Sequence, residues 1–312
     1  MNPVFGPVHS RRFGVSLGID LSPMQKQCNL DCIYCELAPA KTVAAQQQSL
    51  APETIVAALQ DALTRYKDID IITVTANGEP TLYPYLDELI TLIRKITDKK
   101  LLILTNSVNL IDTKVFRTLL RFDAVKLSLD ALSKNVFKKI DRPREDIDIE
   151  RVRTALASFA EAYEGELYIE ILFVKGINDK AEEITKLNDF LKQIPRKRID
   201  IGTIDRPPAY SVEALDYERL YEIAKLFDPA LPVHIATRKT KNAKPASYDE
   251  DAIRNTLDKR PLTPSDVAIL FDTPSQKRLE AMLRSKKVLV DNKSGIEFYV
   301  LAKNLRKNRK NS

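Results

Sequence analysis

Tryptophan is absent, and the 312 residues include only two histidines, three cysteines and eight glycines. No apolar run approaches the roughly eighteen residues that a membrane span needs. The opening MNPVFGPVHSRRFGV has no continuous hydrophobic stretch of signal-peptide type. These absences argue against a membrane protein and against a secreted scaffold stapled by disulfides, and predict a cytoplasmic protein. Glycine falls well below its usual share of roughly 7%, so each glycine is expected to meet a backbone need. What remains is an ordinary globular composition, 44% hydrophobic and 29% charged, long enough for one large α/β domain and a small appendage.

The net charge of +6 is unevenly placed. From Asp251 to Ser312 there are 14 Lys and Arg against 7 Asp and Glu, while the first 250 residues carry 35 against 36. The excess hints at an anionic partner for the C-terminal segment, although five of those cations lie in the tail KNLRKNRKNS, which reads as solvated.

Short β-branched runs alternate with amphipathic stretches as far as residue 237. Strands are expected at 13–21, 68–76, 101–106, 124–130, 167–174 and 199–205, with a seventh at 231–237. Helical patterns lie between them at 52–66, 83–97 and 181–194; in the last, Ile184, Leu187, Leu191 and Ile194 keep the spacing of one buried face. Strands of near-continuous Ile, Val and Leu suit a parallel sheet, and six βα units in succession point to a barrel-like sheet, closed or partly open. A polar linker is expected at 238–250. Beyond it, LTPSDVAILF begins a helix with Thr263 as N-cap and Asp266 as its capping partner, and DTPSQKRLEAMLRSKK repeats the device with Thr273, Pro274 and Gln276. A hairpin turning near Ser294 and Gly295 completes a winged-helix-like domain at 251–302, followed by the basic tail 303–312.

All three cysteines fall in CNLDCIYC, as Cys28, Cys32 and Cys35. A structural zinc site wants four ligands, usually from two separated pairs, and His9 and His234 lie far off on either side. Three thiolates on one loop can instead hold three irons of a four-iron cluster and leave the fourth open, where most clusters take four cysteines. The strand ends carry small polar residues suited to lining a site on that side of a barrel, as in NGEPTL (77–82) and TNS (105–107). Gly78 would let the backbone approach a ligand closely, or serve as a plain turn glycine.

CNLDCIYC, with aromatic Tyr34 before the third cysteine, resembles the cluster motif of radical S-adenosylmethionine (SAM) enzymes, and NGEP resembles the Gly-Gly-Glu-Pro-like segment of that family with Asn77 for the first glycine. The resemblance implies a partial (βα)6 TIM-like barrel, a [4Fe-4S] cluster on Cys28, Cys32 and Cys35, and S-adenosyl-L-methionine on its open iron. It implies reductive cleavage to a 5′-deoxyadenosyl radical, fed by a low-potential flavodoxin or ferredoxin. Carried over residue by residue, Tyr34, Gly78, Glu79, Pro80, Asn106, Ser128 and Asp130 become the expected cofactor-binding set; Ser128 and Asp130 could equally cap the next helix. Lys126 lies on the same strand, where periodicity would place it opposite or adjacent, and it stays outside that set. Together with GPVHSRRFGVSLGIDLSP, KLSLDA, VKGIND and DRPPAY, these segments look like the wyosine-synthase-related, tRNA-modifying branch. The synthases of that branch hold a second cluster on cysteines before this motif, and here no cysteine precedes Cys28, so wyosine synthesis is not assigned.

On the second C-terminal helix Leu279, Met282 and Leu283 would face a small core, with Lys277, Arg278 and Arg284 turned outwards as a recognition helix presents cations to phosphates. Arg11, Arg12 and Arg206 would add cations near the barrel mouth. An RNA substrate, such as transfer RNA, fits this reading. Lys26, Lys41 and Lys175 lie in loops where a covalent lysine adduct would be plausible, and the sequence does not separate them. The alternative is a non-catalytic nucleic-acid-binding protein holding zinc on the three cysteines and one histidine.

Overall fold

The structure, a computed structural model, describes residues 2–10, 13–235, 245, 247–259, 261–293 and 296–302. The chain opens with β1 (Val4–Ser10), which runs antiparallel to β2 (Gly14–Asp20). From β2 onward the chain repeats a strand followed by helix. It passes through α1 (Pro52–Arg65), β3 (Ile71–Thr75), α2 (Leu86–Ile96), β4 (Lys100–Thr105), α3 (Thr113–Leu119) and β5 (Ala124–Ser128). Two helices, α4 (Lys134–Ile140) and α5 (Ile149–Ala162), precede β6 (Glu166–Phe173); α6 (Ala181–Lys192), β7 (Arg198–Thr203), α7 (Tyr217–Leu226) and β8 (Val233–Ile235) follow. The eight strands lie in sequence order, with β2 to β8 all parallel. Among the described residues β1 and β8 do not pair with each other, so the six consecutive parallel βα units make a partial barrel.

All seven expected parallel strands are present within a few residues of their expected bounds. The strand that sequence patterning missed is β1. Pro3, Gly6 and Pro7 interrupt its alternation, and its register shifts between Phe5 and Val8, so no period-2 signal survives.

The apolar residues cover one face of the sheet, the outer one. One face of each strand, including Leu17, Ile72, Ile103, Val125, Ile169 and Ile201, packs with helix residues such as Leu59, Leu89, Leu156 and Leu187 into the main core. The other face starts apolar with Leu102, Ala124 and Tyr168 and becomes polar towards the strand C-termini. There Ser16 and Thr73 share a hydrogen bond of 2.7 Å, Lys126 meets Glu170 at 2.5 Å, and Arg198 meets Asp200 at 2.9 Å. Lys126 therefore points to the inner face, with Ser128 two residues on. Period-2 alternation puts the two side chains on one face, which decides between the two placements left open for Lys126.

The C-terminal residues form α8 (Glu250–Lys259), α9 (Pro264–Leu270), α10 (Thr273–Arg284) and the antiparallel pair β9 (Val288–Lys293) and β10 (Ile296–Leu301). They share a second apolar cluster around Tyr248, Ile253, Phe271 and Met282. The Thr263–Asp266 capping box is present, but α10 is capped by Asp272, whose carboxylate accepts from Ser275 N. Thr273 is its first helical residue, so the helix starts one position earlier than expected, because an ionised acceptor caps the helix dipole at least as well as a hydroxyl. Leu279 and Met282 are buried as expected, and Lys277 and Arg284 are exposed. The expected linker at 238–250 lies mostly outside the described residues, as do the hairpin turn at 294–295 and the tail.

The two clusters meet at the edge strand. Tyr248 is fully buried, its ring 4.4 Å from Phe271, and its hydroxyl donates to the carbonyl of Pro7 in β1. Tyr248→Phe removes that donor and leaves a buried carbonyl short of a partner. We expect a loss of about 1–3 kcal/mol in chemical denaturation, with faster amide exchange in α8.

Candidate functional site

The cysteine loop follows β2 at the C-terminal end of the sheet, and its backbone is bound on several sides. At the strand end the Asp20 carboxylate accepts from Ser22 N and Asn77 N, both at 2.9 Å, joining the exits of β2 and β3. Gln27 then bridges to the segment after β3: its N–H donates to Asn77 O at 2.9 Å, and its carbonyl accepts from Glu79 N at 3.0 Å. The Gln27 side chain accepts from Gln47 N and Gln48 N and donates to Gln48 O and Ser22 Oγ, fastening the returning chain.

This bridge gives Gly78 its reason. Its φ is +131°, and a Cβ there would lie 2.0 Å from Gln27 O. In this structure the cysteine loop itself approaches Gly78 closely. Glu79, at 1% exposure, is likewise committed inside the protein. Its carboxylate accepts from Thr81 N, Thr81 Oγ1, Thr105 Oγ1 and Asn106 N at 2.5 to 3.0 Å. Burial raises its pKa, and those donors pull it back only in part. Pro80 is buried at the start of a single 3₁₀ turn.

The three thiols share one half-buried pocket of charge. Cys28 Sγ accepts from Leu30 N at 3.4 Å and lies 3.7 Å from Asn106 Nδ2, which also donates to Asn29 Oδ1 at 2.7 Å. Cys32 Sγ donates to Asp141 Oδ1 at 3.4 Å, and Cys35 N closes a turn on Cys32 O at 3.1 Å. The end of α4 clasps the loop from outside through Asp31 N to Asp141 O and Ile33 N to Ile140 O. Beyond β7, Ala209 N donates to Cys35 O at 2.9 Å. Burial pushes the Cys28 thiol up to about 12, helped by the Glu79 charge, and raises Cys32 and Cys35 as well. Without a metal these are neutral thiols at pH 7; binding one would release their protons. Among the described residues no three Cys, His, Asp or Glu side chains converge closely enough to hold a single metal ion.

Of the residues expected to bind the cofactor, Asn106 lies beside Cys28. Tyr34 and Asp130 meet each other, the phenol donating to the Asp130 carboxylate. Asp130 also accepts from Leu172 N at 2.7 Å, so it ties β5 to β6 and caps no helix. Ser128 is half-buried, and its carbonyl accepts from Ser107 Oγ at 2.7 Å. Burial raises Asp130 to about 7, and burial with the Asp130 charge raises Asp141. Asp141 was not singled out from the sequence. It sits at the end of a helix, 109 residues from the cysteine it touches, and no local pattern marks it. Arg206 does not stand as a free cation at the mouth, because it pairs with Glu36, the residue after Cys35. Arg11 and Arg12 lie outside the described residues. Of the candidate lysines, Lys41 is exposed, Lys175 is exposed and paired with Glu213, and only Lys26 is buried against the cysteine loop. His234 is exposed on β8, and the side chain of His9 is not among those described.

Glu79→Gln would set an amide N–H₂ among groups that donate to the carboxylate and leave the Asn106 N–H or a threonine hydroxyl unpaired. We expect a loss of about 1–3 kcal/mol, read as a lower denaturant midpoint of the metal-free protein at neutral pH.

Comparison with known proteins agrees with this arrangement. No helix among the described residues is long and apolar enough to cross a membrane. A UPF0026 protein of Helicobacter pylori strain J99 is 40% identical over 299 residues, covering 95% of this chain and 96% of that one. Among solved structures, a radical SAM methyltransferase from Sphaerobacter thermophilus superposes with a TM-score of 0.55 at 16% identity, covering 71% of this chain and 66% of that one. TYW1 with a lysine-pyruvate adduct bound superposes with a TM-score of 0.51 at 18% identity, covering 69% and 74%. At those identities the likeness is one of fold. The model of the Radical SAM superfamily matches residues 22–188, from the turn after β2 through α6, and the chain belongs to that superfamily.

Proposed function

We propose that Cys28, Cys32 and Cys35 hold a [4Fe-4S] cluster with one open iron and that S-adenosylmethionine binds above it against the strand ends. Superfamily membership implies an iron–sulfur cluster and SAM. The observation that carries the finer reading is the donor set. Three thiols lie on one eight-residue loop, and Asn106 at the end of β4 stands 3.7 Å from Cys28 Sγ. Three thiolates on one loop suit a cluster whose fourth iron is left open to a ligand.

The chain's own residues have distinct parts in this reading. Asn106, Ser128 and Asp130 line the side of the site formed by β4 and β5, and Tyr34 is held there through its hydroxyl on Asp130. Gly78 and Pro80 contribute shape through the backbone around Gln27. Glu79 acts as a positioning residue, since it orients the Asn106 backbone and does not face outwards. When bound, the cluster would supply the electron that cleaves SAM to methionine and a 5′-deoxyadenosyl radical. A flavodoxin or ferredoxin is the expected source of that electron. The C-terminal elements, read as a winged-helix-like domain, would bring the substrate; the exposed Lys277 and Arg284 on α10 favour RNA, such as transfer RNA.

The test is anaerobic reconstitution with iron and sulfide, reduction, addition of SAM, and chromatography for 5′-deoxyadenosine. The expected outcome is about four irons and four sulfides per chain, with product formed by the native protein and lost in Cys32→Ala. One zinc, no acid-labile sulfide and no product would replace this reading with the zinc-protein alternative.

A further inference from the structure

Lys26 stands two residues before Cys28, and its side chain is only 7% exposed. Lysine is almost never buried unless it is paired. Its Nζ lies 2.9 Å from Asp31 Oδ1, within the span between Cys28 and Cys32. Asp31 is itself fixed: its N–H donates to Asp141 O at 3.0 Å, and its other oxygen accepts from the Tyr210 hydroxyl and lies 3.8 Å from Arg142 Nη2. Arg142 in turn lies over the Tyr210 ring at 4.6 Å. One carboxylate thus faces two cations. The ion pair with Asp31 holds Lys26 as the ammonium, and it fixes that charge beside a loop that carries Cys28 two residues on and Cys32 directly after Asp31.

We propose that Lys26, anchored by Asp31, is a fixed cation that raises the reduction potential of the cluster on Cys28, Cys32 and Cys35. The proposal rests on the cluster reading above. Reduction adds one electron to an anionic cluster, and a buried cation beside the cysteine loop stabilises the reduced form more than the oxidised one. Net charge and hydrogen bonds to sulfur are the means by which a protein sets such potentials.

The experiment is a redox titration of the reconstituted protein without SAM, using a low-potential chemical reductant and following the reduced cluster by electron paramagnetic resonance. Lys26→Met should lower the reduced fraction at a fixed potential about tenfold, a shift of about 59 mV to more negative potential for a one-electron couple. Lys26→Arg should titrate near the native protein. Asp31→Asn removes a negative charge and should shift the other way. Lys26→Gln, which keeps a donor for Asp31, serves where the methionine variant fails to assemble, and should also shift negative. A neutral variant that titrates at the native potential overturns the proposal. So does a shift of the Lys26 and Asp31 variants in the same direction, because that is what a lysine serving only as a loop clamp would give. A native protein with no reducible cluster removes the cluster reading and this inference together, whereas a native signal with unshifted variants removes only the inference.

Discussion

The two hydrogen bonds between Gln27 and the segment after β3, from its N–H to Asn77 O and from Glu79 N to its carbonyl, hold the site together. They turn a loop that would otherwise project from the rim into a short extension of the sheet. Everything nearby is arranged around that bridge. Gly78 has no Cβ because Gln27 O occupies the place where one would be. Asp20 joins the two strand ends beneath it, and the Gln27 side chain pins the chain on its way out. The Glu79 carboxylate carries the same restraint onward to Asn106 at the end of β4, next to Cys28. A site built at the carboxyl ends of parallel strands needs its loops fixed relative to one another. Here backbone and buried side chains do that before any ligand binds.

Electrostatics divide the cysteine loop into two environments. On the Cys32 side lie Asp141, Asp130 and Tyr34, all acidic, enclosed by apolar residues such as Leu30, Phe137 and Val174, with burial raising each pKa. On the Cys35 side lie Lys26 and the Asp31–Arg142–Tyr210 group, with Arg206 against Glu36. Low-dielectric surroundings disfavour thiolate and carboxylate alike, so a metal must compete with protons for these ligands. The cationic side offsets part of that cost.

Much of this was legible in the residues. The seven parallel strands, three helices between them, the Thr263–Asp266 cap and the buried face of α10 all follow from local patterning. The cysteine spacing and NGEP pointed to the superfamily to which the chain belongs. Other features were not legible. β1 carries no alternation because prolines and glycine break it. The direction of Lys126 was left open, and its pairing with Glu170 settles it. Gly78 and Glu79 were expected to face a ligand, and both are taken up by neighbouring backbone and side chains.

The sequence by itself determined the kind of chemistry and the layer architecture. Three clustered thiols are a local fact, and the alternation of β-branched runs with amphipathic helices is a short-range consequence of which residues can be buried. Only the tertiary structure decided which distant groups surround those thiols. Asp141 comes from the end of α4, Tyr210 from the loop after β7, Asn106 from the end of β4 and Lys26 from the loop's own approach. Each is an unremarkable polar residue in its own segment. They meet because the parallel strands bring their carboxyl ends to one rim, and sequence separation then says nothing about distance.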